Sequence, residues 1–140
     1  MSCVVLGYDG SPSARAALWR AIEQAGSFDE RLFVVFGGEP PGKVSGEEFK
    51  EHRQVLEEIG SGLLDEAAEK ARLAGVEVET LIVSQRPATA LENTARERGA
   101  RLIVTGTYSE GPFKSAILGS TPHKLLHISD TPVLCVPARP

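Results

Sequence analysis

The sequence has no long hydrophobic run. Its purest apolar stretches, such as Leu32-Phe33-Val34-Val35-Phe36 and Leu102-Ile103-Val104, fall far short of the roughly 20 residues that cross a bilayer, so no membrane span is expected. The opening Met1-Ser2-Cys3-Val4-Val5 lacks the basic and apolar regions and small-residue cleavage site of a secretory leader. Cysteine is scarce. Cys3 and Cys135 both sit in apolar, strand-like runs, where a thiol behaves as a small hydrophobe, and two such residues make no disulfide framework. A reducing, cytoplasmic location is therefore expected. Clustered basic charge is missing too: the net charge is −4, which gives no field for attracting nucleic acid. Any phosphate must be held by local geometry.

What is present is an ordinary globular balance, 41% hydrophobic and 24% charged over 140 residues, which suits one domain spanning residues 1–140. Val4-Val5-Leu6, Leu32-Phe33-Val34-Val35-Phe36, Leu102-Ile103-Val104 and Val133-Leu134-Cys135-Val136 are short continuous apolar runs, the pattern of parallel strands covered on both faces. A further strand over Val76, Val78, Thr80 and Ile82 alternates with Glu77 and Glu79, which places it near an edge.

Helical periods separate these runs. Ala14, Ala17, Leu18, Ala21, Ile22 and Ala25 trace one apolar stripe. Leu56, Ile59, Leu63, Ala67, Ala71 and Ala74 trace another, with Gly75 as its C-terminal stop. Pro87 opens a third helix lined by Ala88, Leu91, Thr94 and Ala95 and ended by Gly99. The last begins near Ser120-Thr121-Pro122, carries Leu125, Leu126 and Ser129 on one face, and stops before Pro132. Residues 37–46 are too rich in Gly and Pro for regular structure and read as a mobile surface loop. Strict alternation of strand and helix predicts an α/β, doubly wound, five-stranded parallel sheet with helices on both faces.

In such a sheet a ligand sits beyond the carboxyl ends of the strands where the winding reverses, and with order 3-2-1-4-5 that point lies between the first and fourth strands. The first strand runs into Gly7-Tyr8-Asp9-Gly10-Ser11, and the fourth into Gly106-Thr107-Tyr108-Ser109-Glu110-Gly111 and on to Leu118-Gly119-Ser120-Thr121. Asp9 can accept from a ribose hydroxyl or an adenine amino group, and Gly106 and Gly119 would let backbone N–H groups approach phosphate. Ser120 and Thr121 stand at a helix start, where orphan N–H groups favour an anion. Each of these polar residues also has a simpler reading: Asp9 or Ser11 caps the first helix, and Ser120 or Thr121 caps the last.

The opening Val-Val-x-Gly-Tyr-Asp-Gly-Ser, the Leu102-Ile103-Val104-Thr105-Gly106 strand, and the Leu118-Gly119-Ser120 and Thr131-Pro132-Val133-Leu134 segments, in this order, resemble the universal stress protein family over essentially the whole chain. The resemblance implies an adenine nucleotide alpha-hydrolase-like fold, a stress-response role, and an adenine nucleotide ligand, ATP or AMP, with Mg accompanying ATP. By resemblance, Gly7 and Tyr8 border the base, Asp9 holds base or ribose, Gly106 contacts ribose, and Ser109, Gly119, Ser120 and Thr121 surround phosphate. Nucleotide-binding members carry a Gly, two residues, a second Gly, nine residues, then Gly-Ser or Gly-Thr. Here Gly106 and Gly119-Ser120 take the outer places while Ser109 takes the middle one, with Gly111 two residues later. Glu110 stands where a basic residue is common, with Lys114 near enough to compensate, and Gly37 occupies the place of an apolar residue that packs on adenine. These departures leave open a second function, an interaction module of the same fold with weak or no nucleotide binding, and a remoter third, a slow ATPase.

Other chemistries lack their residues. Gly106 and Gly111 have phosphate-loop spacing, but Pro112-Phe113 replaces the Lys-Ser/Thr it needs. A response regulator would need acidic residues at several strand ends and a lysine after the fifth strand, where this chain has Val136-Pro137. His123 and His127 share a helical face without a third ligand, so no metal site is assigned. Ser11, Ser109 and Ser120 have no His/Asp partner set. The fifth strand, Val133-Leu134-Cys135-Val136, is an uncharged outer edge that needs cover. The resemblance implies that a second copy of the strand supplies it in a homodimer; the alternative cover is the tail Ala138-Arg139-Pro140. Cys3 and Cys135, on strands separated by a third and so roughly 9 to 10 Å apart, are too distant for a disulfide.

Overall fold

A computed structural model describes residues 2–38, 46–107 and 119–138. Five strands, β1 (Cys3–Gly7), β2 (Arg31–Gly37), β3 (Val78–Val83), β4 (Leu102–Gly106) and β5 (Val133–Val136), alternate with four helices, α1 (Pro12–Ser27), α2 (Gly46–Leu73), α3 (Pro87–Arg98) and α4 (Ser120–Ile128). The strands form one all-parallel sheet in the order β3-β2-β1-β4-β5. β1 is flanked by β2 and β4, with Val5 level with Phe33 on one side and Ile103 on the other.

Strand parity sorts the core into two layers. Val4, Leu6, Leu32, Val34, Phe36 and Val104 face α1 and α2. Cys3, Val5, Phe33, Val35 and Ile103 face α3 and α4. Most of these side chains are fully sequestered, each contributing about 1.5–3 kcal/mol of burial free energy. Continuous apolar runs thus serve two faces at once, which is why β1, β2 and β4 show no alternation. Both cysteines are free, and burial pushes both thiols above their ordinary range, with Glu30 adding to the effect at Cys3.

The predicted stripe of α1 is buried throughout, and that of α3 matches. Gly99 closes α3 in the left-handed region at φ 62°, where a Cβ would be strained. Several sequence expectations need correction. In α2 the buried line runs Gly60, Leu64, Ala67, Ala68 and Ala71, so Ile59 and Ala74 lie outside it and Ile59 is half exposed. The buried face is built on small residues, because Gly60 sits against Phe36 so closely that an added Cβ would come within 2.7 Å of that ring; periodicity of large side chains could not reveal this. Leu126 is 60% exposed, and Leu125 with Pro122 alone anchors α4. Val76 precedes β3 rather than belonging to it and is buried, while Ile82 near the end of that edge strand is exposed. Gly37 belongs to β2 and Gly46 to α2, so both ends of the expected loop lie in regular structure, and its residues 39–45 lie outside the described residues.

No helix among the described residues is long and apolar enough to cross a membrane.

Candidate functional site

Beyond the carboxyl ends of β1 and β4 lies an open hollow of about 60 Å³ bounded by the described residues. Gly7, Tyr8, Asp9, Gly37, Gly106, Gly119, Ser120 and Thr121 all line it. Two further candidates, Ser109 and Gly111, lie outside the described residues, as do Glu110, Lys114 and most of the Gly/Pro-rich loop. The switch point read from the strand order is therefore where the hollow forms.

Each wall has a local cause. At the end of β1 the chain turns through Gly10, whose φ of +77° suits a residue without a Cβ. Asp9 shapes that turn: its Oδ1 accepts from the Ser11 N–H at 2.9 Å. Its side chain is exposed, and the carboxylate has a second oxygen to offer a ligand. Ser11 is the N-cap of α1, its Oγ accepting from the Ala14 N–H at 3.3 Å. Of the two simpler readings at this loop, capping of α1 belongs to Ser11, while Asp9 only braces the turn.

Opposite stands the start of α4. Its N-cap is Gly119, with no side-chain cap bond, so neither Ser120 nor Thr121 is the cap. The first intrahelical bond runs from the His123 N–H to the Gly119 carbonyl at 3.0 Å. Pro122 has no N–H, so Ser120 and Thr121 carry the first-turn amides that an α-helix leaves without an intrahelical acceptor. Such amides, on the positive end of the helix dipole, bind anions. The Gly119 amide does not join them: it donates to the Thr107 carbonyl at 2.6 Å, fastening α4 to the end of β4.

The glycines at the hollow serve packing first. A Cβ on Gly106 would strike Ser13 and come within 2.8 Å of the Ala14 nitrogen, so this glycine lets the first turn of α1 approach β4. A Cβ on Gly37 would lie 2.9 Å from Pro87 Cα, so Gly37 lets α3 approach β2. Gly7 faces Leu91, whose Cδ1 would be 2.7 Å from an added Cβ. Tyr8 turns its ring into the α1/α2 layer, 2% exposed. Its hydroxyl donates to Glu66 Oε1 at 3.1 Å.

Sequence reasoning missed part of the floor, which Ser13, Val35, Pro87, Leu91 and Thr105 supply. In the sequence Leu91 reads as part of a helical stripe and Thr105 as part of a strand, and the signal that could expose Thr105 is its place beside Gly106 at the carboxyl end of β4. Among the described lining residues the one charged side chain is Asp9. No group of three or more His, Cys, Asp or Glu side chains converges among the described residues, and His123 and His127 stand with ring centroids 4.9 Å apart on the exposed side of α4.

Comparison with known proteins gives these features a family. The profile of the "Universal stress protein family" matches residues 1–137. A Thermus aquaticus universal stress protein is 37% identical over 138 residues, covering 95% of this chain and 96% of that protein. The Bacillus subtilis universal stress protein YxiE is 38% identical over 86 residues, 61% of this chain and 58% of that relative. Among solved structures, a universal stress protein in complex with cAMP is 27% identical with a TM-score of 0.73, covering 96% of each chain. An Archaeoglobus fulgidus universal stress protein in complex with dAMP, 23% identical with a TM-score of 0.70 over 97% of this chain and 98% of that one, shares the fold.

Proposed function

The chain belongs to the universal stress protein family, and we propose that within it this protein is a stress-response regulatory protein that binds an adenine nucleotide at the β1/β4 switch point. The observation that carries this reading is the pairing, across one open hollow, of the exposed Asp9 carboxylate with the first-turn amides of α4, which have no intrahelical acceptor. An acceptor on one side suits a ribose hydroxyl or adenine amino group, and donors on the other suit a phosphate. The cAMP complex of a relative 27% identical supports the same ligand class.

In this account Gly7 and Tyr8 border the base, Asp9 accepts from base or ribose, Gly106 lies beside the ribose, and Ser120 and Thr121 meet the phosphate, with Ser109 and Gly111 on the segment that joins β4 to α4. Gly37 leaves the adenine without a side chain to stack on at that point. In the described part of the hollow phosphate would meet amides and hydroxyls, and the segment after β4 adds one acidic residue, Glu110, and one basic residue, Lys114. With ATP, Mg would be carried by phosphate oxygens and water, with Asp9 as the one described carboxylate. The proposed role is binding rather than turnover, in a cytoplasmic protein. β5, with Leu134 36% exposed at the sheet edge, is the proposed homodimer seam through Val133, Leu134, Cys135 and Val136.

The test is mass spectrometry of small molecules released from freshly purified protein, then titration with ATP, AMP and cyclic AMP while thermal stability is followed. Ligand at about 1,000 times Kd should add about 4 kcal/mol if only the folded state binds. No released nucleotide and a flat titration would instead support the interaction module of the same fold.

A further inference from the structure

The first half of α2 is thinly packed. Between Gly46 and Ile59 burial is partial, with His52 and Leu56 half-buried and Leu56 beside Gly38 just past the end of β2, and full burial begins at Gly60. At 1.5 Å per residue this segment is about 21 Å long. A helix of that length is marginal in water unless an apolar face is packed, and here that packing uses one face and leaves other apolar side chains outside it. Its surface carries exposed ion pairs, Glu47 with Lys50 and Arg53 with Glu57, worth a few tenths of a kcal/mol each. Yet the segment carries an exposed apolar pair. Val55 and Ile59 are each 51% exposed and are neighbours at a four-residue step, whereas Phe49, 37% exposed, stands two turns before Leu56 on the inward side.

Charge surrounds this pair on one side. The helical neighbours of Val55 at three- and four-residue steps include Glu51 and Glu58, and Glu48 lies two turns before it. Within 46–59 five glutamates stand against Lys50 and Arg53, and Arg53 is paired with Glu57. An apolar strip bordered by carboxylates fits a partner that brings apolar side chains flanked by ammonium or guanidinium groups.

We infer that the outer face of the first half of α2 is a docking rail for a basic, amphipathic segment of another protein, seated on Val55 and Ile59 and steered by Glu48, Glu51 and Glu58. The other occupants fit less well. A second copy would set the same glutamate row against itself, and an anionic membrane or a nucleic acid would meet like charge. This surface is distinct from the hollow between β1 and β4, and the inference stands whether or not a nucleotide binds there.

The experiment uses the full chain without added nucleotide and a labelled amphipathic peptide of leucine and lysine at helical spacing, followed by fluorescence anisotropy. Saturable binding is expected, weakening as ionic strength rises from about 0.05 to about 0.5 M. The pair Val55→Gln and Ile59→Gln should weaken it about tenfold, and the triple change Glu48→Gln, Glu51→Gln and Glu58→Gln should weaken it about tenfold at low salt while flattening its salt dependence. A peptide of the same composition, shuffled so that leucine falls on every face, should bind the unaltered chain and the Val55/Ile59 variant equally weakly. On the unaltered chain, amide shifts on adding the helical peptide should concentrate in residues 48–59. The inference is overturned by no saturable binding, by equal affinity for the unaltered chain and the glutamine variants, by shifts concentrated elsewhere, or by sedimentation showing that Val55→Gln and Ile59→Gln dissociate a dimer.

Discussion

Tyr8, one residue past the end of β1, donates its phenolic hydrogen to Glu66 of α2 at 3.1 Å. That same carboxylate oxygen accepts from Lys70 at 3.4 Å and lies 3.7 Å from Arg15, and Arg15 in turn donates to the Gly10 carbonyl at 3.0 Å. Leu63 of α2 meanwhile sits where a Cβ on Gly10 would be. The turn that presents Asp9 is thus braced from α1 and α2 together, so the geometry of the hollow depends on residues that do not line it.

The first prediction concerns titration of Tyr8. Burial, then the hydrogen bond to and the negative charge of Glu66, push its phenol up to about 12 from the ordinary 10. A pKa raised by folding means that the folded state holds the proton longer than the unfolded chain. The associated stability is therefore complete below pH 10 and is lost as pH climbs from 10 to about 12. In a Tyr108→Phe background, which leaves Tyr8 as the single tyrosine, tyrosinate absorbance should emerge only near pH 12. Adding Glu66→Gln should move its onset lower; an onset near pH 10 without that change would refute the bracing.

Gly106→Ala should destabilise the fold. The new Cβ meets Ser13 and the Ala14 nitrogen, the second being backbone that cannot swing away. Overpacking of this kind costs about 1–3 kcal/mol, a drop of about 1 M in the urea midpoint at typical slopes. An unchanged midpoint would mean that α1 does not press on β4 as described.

Ser11→Ala separates capping from binding. Loss of the Oγ acceptor for the Ala14 N–H should cost about 1 kcal/mol of stability, while AMP affinity should change by less than about twofold, or ~0.4 kcal/mol. Asp9→Ala should do more to affinity than Ser11→Ala, because its exposed carboxylate lines the hollow proposed to hold the ligand. Calorimetric titration beside urea denaturation would read both quantities, and equal losses of affinity would contradict the division of roles.

Glu92 offers a test of the α3 layer. It is 4% exposed, one carboxylate oxygen pairs with Arg96 at 3.1 Å, and the other is buried without a partner among the described residues. Replacing a partly satisfied buried ion with an apolar side chain is commonly neutral or favourable. Glu92→Leu should accordingly leave thermal stability unchanged or raise it, by up to about 2 kcal/mol. A clear loss would show that the unpaired oxygen has a partner of its own.

The architecture was open to reading because its signal is redundant. Val4, Val5 and Leu6 are buried on alternate faces, so the run is apolar at every position, and the stripe of α1 is regular because one face alone meets the sheet. The same logic failed at α2. Its contact face needs Gly60 and alanines to sit close over Phe36, and small residues leave no periodic mark, so the larger Ile59 was assigned inward when it is exposed. At the hollow, the convergence of Asp9, Gly106 and Ser120 followed from strand order. The reasons for the glycines did not: Gly106, Gly37 and Gly7 are dictated by neighbours distant in sequence, Ser13, Pro87 and Leu91. The bond from the Gly119 amide to the Thr107 carbonyl likewise joins residues twelve apart and leaves no mark in the sequence.

The central claim, that one hollow between β1 and β4 receives an adenine nucleotide, is tested most directly by following backbone amide resonances of the isotope-labelled chain during titration with AMP. The account predicts saturable shifts at Asp9, Gly106, Ser120 and Thr121, with Gly75 and Glu77 at the opposite end of the sheet unmoved. Saturating AMP that leaves Ser120 and Thr121 in place, or that moves the far end instead, would contradict it.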